Sequence, residues 1–307
     1  MIPGFYSKPT VFIGLAMHAE RISMLKLRKI KKEIMIEGFL SFISSKTIKE
    51  QDKTNLFIEK IKEFVTHYQA RYCDASLALP ASQVMQKRIK IPNFLTDQER
   101  AFEIGSNLNY YLPGLSEPLH IDFIELDKNE NDVELQLIAA RSAQIESYLK
   151  LTQSAGLKVK WIDLDAYAIS RAICWIEPTY FKKTIVLLDM EPTQAQLILL
   201  SNGKIISIFP LLLEKEDKLV QEIKRGLQFF LSEEHAISIE KIVLTGYYSD
   251  PDSFHSFLDA YFSIPIERVN AFQHCLLHPD LKPEKINILC SRLLVALGLA
   301  LRGVMNG

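Results

Sequence analysis

The sequence is short of what several common functions require. Its longest apolar runs, near Leu293–Leu301, fall well below the roughly 20 residues that span a bilayer. The four cysteines (Cys73, Cys174, Cys275 and Cys290) are widely spaced and form no C-x-x-C pair. With no secretory signal peptide evident, that pattern points to reduced thiols in the cytoplasm rather than to a disulfide frame. Lys and Arg number 36 against 37 Asp and Glu, a net charge of −1, so no nucleic-acid partner is implied. No segment is of low complexity. The 307 residues suit two lobes, each able to hold its own core, at roughly 150 residues per domain.

What is present is organised around Thr184–Pro210. Thr184–Leu188 is a short apolar run, the mark of a strand buried on both faces. A turn at Met190–Thr193 leads into the strand Gln194–Leu200. Asn202-Gly203, a strong signal for a type I′ hairpin turn, then precedes Lys204–Phe209. The start of the chain repeats the pattern: Val11–Leu15 is apolar, Ala16–Glu20 a turn, Arg21–Leu27 an alternating strand. Side by side, Ala16 falls opposite Asp189 and His18 opposite Glu191. The spacing predicts a duplicated fold with one hairpin sheet per half.

After the first hairpin, Glu33–Phe42 is another strand. Lys26, Arg28, Lys29, Lys31 and Lys32 crowd the turn before it, either as a solvated tip or as a patch that touches anionic lipid or an acidic partner. Thr54 is placed to cap a helix with Phe57, Ile61, Phe64, Val65 and Tyr68 on one face. Cys73–Leu79 is a strand. Ser76–Asp163 is read as an inserted α+β subdomain: an alternating strand Gln83–Ile91, a capping box at Thr96–Glu99, strands His120–Leu126 and Val133–Ala139, a helix from Ser142, and a strand Val159–Ile162. Asp163 and Asp165 precede the helix Ala166–Cys174, as a metal or acid–base pair or simply as favourable charge at a helix start. Leu219, Ile223, Leu227, Phe230 and Leu231 form a helical stripe. Ile242–Leu244 and Ile266–Val269 are strands flanking a helix at Ser253–Tyr261, and a C-terminal helix follows. His274, Cys275 and His278 have metal-like spacing only if helical. No fourth ligand is evident, and Pro279 and Pro283 favour a loop.

The stretches LALPASQVMQKRIKIP (Leu77–Pro92), LIAARSAQIESYLKLTQSAGLKVKWIDLDAYAISRA (Leu137–Ala172) and VALGLALRG (Val295–Gly303) resemble the PilM family of type IV pilus assembly. The similarity runs in order over nearly the whole chain and includes the insertion that this family shares with FtsA. The cytoplasmic part of GspL of type II secretion has a similar fold. The resemblance implies an α/β, duplicated actin-like (ribonuclease H-like) fold. Its first core would be 9–75 plus 164–183, completed by a C-terminal helix 286–303; the insertion would be 76–163 and the second core 184–285. The second core lacks most of the small helical subdomain that such proteins carry after the second hairpin sheet, because Pro210 leads almost directly to the helix near Leu219.

The same resemblance implies an ATP site on three glycine-bearing turns. Here the residues at those turns are Gly14, His18, Asp189, Glu191, Thr193, Thr245 and Gly246, and although Asp189 survives, each turn departs from the pattern. Ala16 and His18 replace the aspartate and glycine of the first turn, and Glu191-Pro192 replaces the glycine and following residue of the second. Tyr247 follows Gly246 where it would crowd an adenosine. The expected reading is a pseudo-ATPase with no catalytic or metal residue and no required cofactor, ATP with magnesium binding weakly if at all. It would bind the N-terminal tail of a PilN-like inner-membrane protein, and through it PilO- and PilP-like proteins and the pilus motor, staying peripheral to the membrane. The tail groove implied by the family is bordered here by Leu79, Pro80, Tyr110, Tyr111 and Leu112. The alternatives are a nucleotide-gated actin-like ATPase of a pilus or type II secretion machine, and a small-molecule kinase for which only Asp189 is a candidate catalytic carboxylate.

Overall fold

The computed structural model describes residues 10–45, 47–114, 117–212, 216–233, 238–247, 252–287 and 289–306. In chain order, β1 (Thr10–Met17), β2 (Arg21–Ile30) and β3 (Glu33–Ile43) lead into α1 (Glu50–His67) and β4 (Asp74–Leu79). Then come β5 (Met85–Pro92), α2 (Asp97–Ser106), α3 (Leu108–Tyr111), β6 (Leu119–Lys128), β7 (Asp132–Arg141) and α4 (Ser142–Ser154). β8 (Lys158–Leu164) and α5 (Asp165–Ile176) precede the second hairpin sheet of β9 (Thr184–Met190), β10 (Ala195–Ser201) and β11 (Lys204–Leu211). The chain closes with α6 (Glu216–Glu233), β12 (Lys241–Gly246), α7 (Asp252–Asp259), β13 (Ile266–Arg268), β14 (Cys275–Leu277), α8 (Pro283–Asn287) and α9 (Leu294–Asn306).

The duplication read from the sequence is present in the hydrogen bonds. β1, β2 and β3 pair antiparallel, as do β9, β10 and β11. The last ladder pair beside the first turn is Met17–Ile22, and beside the second it is Met190–Ala195. The same offset relates Ala16 to Asp189, so the two turns are structural equivalents. In each half a parallel strand extends the hairpin sheet next to its first strand: β4 beside β1, and β12 beside β9. The sheet orders are β14-β3-β2-β1-β4-β8 and β11-β10-β9-β12-β13.

Four expected boundaries move. The insertion is a compact unit of Ala81–Leu151 rather than 76–163, because β4 and β8 pair with each other and β4 with β1 in the first lobe's sheet. The second core ends before 285, because β14 adds in parallel to β3 of the first sheet. That strand also removes the metal reading of His274, Cys275 and His278: the segment is extended, and no metal-binding cluster exists among the described residues. α1 begins at Glu50 with Lys49 as its N-cap, so Thr54 lies inside the helix instead of capping it. The alternating strand of the insertion starts at Met85, after a tight 3-10 turn at Ala81–Gln83. The Thr96–Glu99 capping box forms in full.

Within the insertion, the sheet β5-β7-β6 buries Ile89, Ile91, Val133, Leu135 and Leu137 with Ile104 of α2. In the second lobe, Leu219, Ile223, Leu227 and Phe230 of α6 pack on that lobe's sheet, while Leu231 stays half exposed. Four residues separate β11 from α6; 213–215, part of the short link read from the sequence, lie outside the described residues. Asp163 is held by Arg171 at 2.8 Å and Arg302 at 3.0 Å, and Asp165 occupies the first turn of α5. These are structural roles for the two carboxylates.

The helix α9 is apolar and nearly fully buried against β1 and α5. Gly14, in the middle of β1, is what admits it: a Cβ there would sit 1.9 Å from the Ala296 carbonyl oxygen. Gly14 is therefore a packing residue beneath a helix and not part of a phosphate turn. Gly14→Ala should force helix and strand apart and destabilise the protein by about 3 kcal/mol, measured as a lowered denaturation midpoint at unchanged slope.

Candidate functional site: the cleft turns

The cleft between the two lobes is where the three turns meet, and its chemistry follows from which groups the turns bury. His18 N–H donates to the Arg21 carbonyl at 2.8 Å, and Glu191 N–H donates to the Gln194 carbonyl at 2.9 Å. Each turn thus closes on itself through one backbone N–H. Thr193 is exposed at the second turn. Thr245 and Gly246 end β12, with Gly246 at φ +87°, and a Cβ at Gly246 would collide with Met190 and Asp189. That glycine is required by close approach and left-handed backbone alike.

The two turns are joined by a charge pair that the sequence reading did not identify. Arg21 opens β2 and is fully buried, as is Glu191. Arg21 Nε donates to Glu191 Oε2 at 2.7 Å and Nη2 donates to Oε1, a bidentate fork across the cleft. The remaining terminal nitrogen, Nη1, donates to the carbonyl of Arg292 at 2.7 Å. One guanidinium therefore ties the first lobe, the second lobe and the segment entering α9. Burial pushes the Glu191 carboxyl up, and Arg21 opposes that shift; the bidentate contact holds it as the carboxylate. The Arg292 guanidinium in turn stacks 4.1 Å over the Tyr247 ring, so Tyr247 is engaged by a cation where an adenosine clash was expected.

Asp189 survives from the expected pattern, but its oxygens are engaged. Thr245 Oγ1 donates to Oδ1 at 2.9 Å and Gln196 Nε2 to Oδ2 at 3.2 Å. Burial first, then the Glu191 charge, push its carboxyl up to about 6. His18 Nδ1 accepts from Gln194 Nε2 at 3.1 Å, and its Nε2 is buried with no hydrogen-bond partner among the described residues. Burial, then Arg21, lower its imidazole to about 3, so at neutral pH it is an uncharged ring and offers no cation to a phosphate.

This arrangement does not fit a nucleoside triphosphate with magnesium. A polyphosphate at the turns would meet the Glu191 carboxylate, a prolyl nitrogen without a proton at Pro192, and the His18 and Glu191 N–H groups already bonded within their own turns. A magnesium shell would need Asp189 to give up Thr245 and Gln196. The structure brings His18, Asp189, Glu191, Thr245 and Gly246 together. It places Gly14 under α9 and Thr193 outside. Of the residues assigned to a peptide groove, Leu79 and Pro80 are buried. Tyr111 and Leu112 belong to the insertion's own core, and Tyr110 is 80% exposed.

Compared with known families, residues 14–209 and 211–304 match the family described as Type IV pilus assembly protein PilM. The chain belongs to the PilM family. Among solved structures, a PilM–PilN type IV pilus biogenesis complex superposes with a TM-score of 0.80 at 19% identity, covering 95% of this chain and 98% of that one. The cytoplasmic domain of EpsL, an inner-membrane component of the Vibrio cholerae type II secretion system, gives 0.52 at 11% identity, covering 93% and 95%. A Bacteroides thetaiotaomicron protein with an actin-like ATPase fold and unknown function gives 0.51 at 9% identity, covering 94% and 98%. The PilM-family chain has the actin-like fold that the family resemblance implied.

Two results would test the cleft. Arg21→Ala leaves Glu191 as a buried, unpaired carboxylate and should cost about 3–5 kcal/mol in chemical denaturation, whereas the double change Arg21→Met with Glu191→Leu should recover most of that loss. His18 binds a proton less readily folded than unfolded, so its contribution to stability is lost as pH falls from 6.5 towards 3. The advantage of the wild type over His18→Asn should therefore grow as pH rises through that window and level off above it. Paired urea titrations across pH would measure it.

Proposed function

We propose that this PilM-family chain is a non-catalytic scaffold of type IV pilus assembly that holds the N-terminal tail of a PilN-like inner-membrane protein. The observation that carries the first half is the buried Arg21–Glu191 pair, which puts a fixed protein charge pair at turns that would otherwise cradle phosphates. A machine that binds and releases nucleotide needs its lobes to separate and close. Here, separation would strip two buried charges of each other. The second half draws on family membership and on the PilM–PilN complex whose fold this chain shares. Through that partner the scaffold would reach PilO- and PilP-like proteins and the pilus motor. No helix among the described residues is long and apolar enough to cross a membrane.

The side chain best placed to report tail binding is Tyr110. It is exposed, and its ring packs edge-on against Tyr111 at 5.2 Å. Tyr111 itself fills the insertion's core, so Tyr111→Ala would unfold that unit before it reported on a partner. A synthetic peptide of the PilN-like protein's N-terminal residues should bind the full chain with saturable heat in calorimetry. Tyr110→Ala should weaken that binding about tenfold, as loss of one aromatic anchor does, without changing the denaturation midpoint. Absence of any binding by the peptide would defeat the scaffold reading, and unchanged affinity in Tyr110→Ala would remove Tyr110 from the contact.

A further inference from the structure

We infer that the end of the first lobe's sheet opposite the cleft docks directly on an anionic bilayer surface. The ladders fix which residues share that end. β1 and β2 meet the cleft at Met17 and Ile22, so their other ends, Thr10 and Lys29, are paired at the far edge. The β2–β3 turn, Ile30 to Glu33, projects beyond them. β4 starts at the same edge, preceded by Tyr72, and β8 starts there with Lys158 opposite Asp74. Across the sheet, Val11, Arg28, Met35 and Leu276 form one row over four strands.

Two properties of this edge coincide. It is basic: Lys26 and Arg28 share Glu37, and Lys158 lies 3.6 Å from Asp74. Lys29, Lys31, Lys32 and Arg71 form no ion pair among the described residues, and Glu33 is the one acid in the turn itself. Four uncompensated cations gathered at one edge are an asymmetry in a chain whose net charge is −1. It is also apolar at its highest points: Ile30 is 41% exposed, Tyr72 70% and Leu276 45%. Ile30 adjoins Lys31 (φ +58°), and Tyr72 is itself left-handed (φ +60°) beneath the Arg71 guanidinium at 5.1 Å. Both therefore sit on turns and project, instead of lining a recess.

The chemistry favours lipid over an acidic protein. A peptide partner is held by a groove, or by strand addition with alternating pockets. Single apolar side chains on projecting turns, ringed by lysines, suit shallow insertion among headgroups with the ammonium groups in the anionic layer. An aromatic with a polar tip, such as Tyr72, belongs at that depth. The contact is weak by design of its size, so it would orient a scaffold already held by a membrane-anchored partner rather than anchor it alone.

The test is co-sedimentation of the full chain with phosphatidylcholine vesicles, with and without about 30% phosphatidylglycerol, at about 50 mM and about 500 mM salt. The expected result is binding to the anionic vesicles at low salt, lost at high salt, and none to phosphatidylcholine alone. The triple change Lys29→Glu, Lys31→Glu, Lys32→Glu should reduce partitioning by on the order of 100-fold, and Ile30→Ser by about tenfold. Ile30, Lys31 and Lys32 are exposed and Lys29 is half-buried, and thermal denaturation should confirm that the variants fold. A charge-matched control, Lys62→Glu, Lys128→Glu, Lys150→Glu, should partition within a factor of about three of wild type. The inference is overturned if anionic vesicles are not bound or if the control loses as much as the edge variant. Unchanged binding by Ile30→Ser, or binding to soluble polyglutamate as tight as to vesicles, overturns it as well.

Discussion

The structure depends on one buried ion pair. Arg21 and Glu191 stand at equivalent ends of two duplicated hairpins and face each other across the cleft. Bringing both out of water costs heavily, and their attraction recovers that cost only with good geometry and every remaining donor satisfied. Here the contact is bidentate, and the third guanidinium nitrogen donates to the Arg292 carbonyl. Such a pair contributes little net stability compared with an apolar substitute. What it does supply is register, because neither lobe can shift without leaving a bare charge. His18 and Asp189 follow from it. The first is kept neutral by burial beside a cation, and the second has its proton affinity raised by burial and by Glu191.

The rest of the first lobe is arranged to hold that geometry. β1 delivers the first turn from beneath α9, and the approach is close enough that Gly14 admits no side chain. α9 is entered through the segment whose Arg292 carbonyl accepts from Arg21 and whose guanidinium covers Tyr247. In this chain the first and second turns are tied to each other by their own side chains.

Much of this was legible in the sequence. The apolar runs at Val11–Leu15 and Thr184–Leu188, each followed by a turn and an alternating strand, gave the duplication with the correct residue offset. Local chemistry was also readable, as with Thr96 and Glu99. Strand membership was harder. Cys73–Leu79 and Val159–Ile162 flank the insertion in sequence, and only long-range pairing assigns them to the first lobe's sheet. Cys275–Leu277 is too short to signal a strand, and it becomes one because the edge of β3 is available. In the cleft, the sequence exposed each departure singly: His18, Glu191, Pro192, Tyr247. It hid the compensation, because Arg21 lies 170 positions from Glu191 and reads as an ordinary strand start. The available signal was that a buried acid at one turn calls for a cation at its duplicate.

The most direct test of the central claim is calorimetric titration of the full chain with Mg-ATP into the millimolar range, alongside thermal denaturation. The account predicts no saturable heat and no rise in the denaturation midpoint, since the Arg21–Glu191 pair occupies the turns. Saturable binding with stabilisation would contradict it. It would mean that the pair opens to admit phosphate, and that the cleft is nucleotide-gated rather than closed.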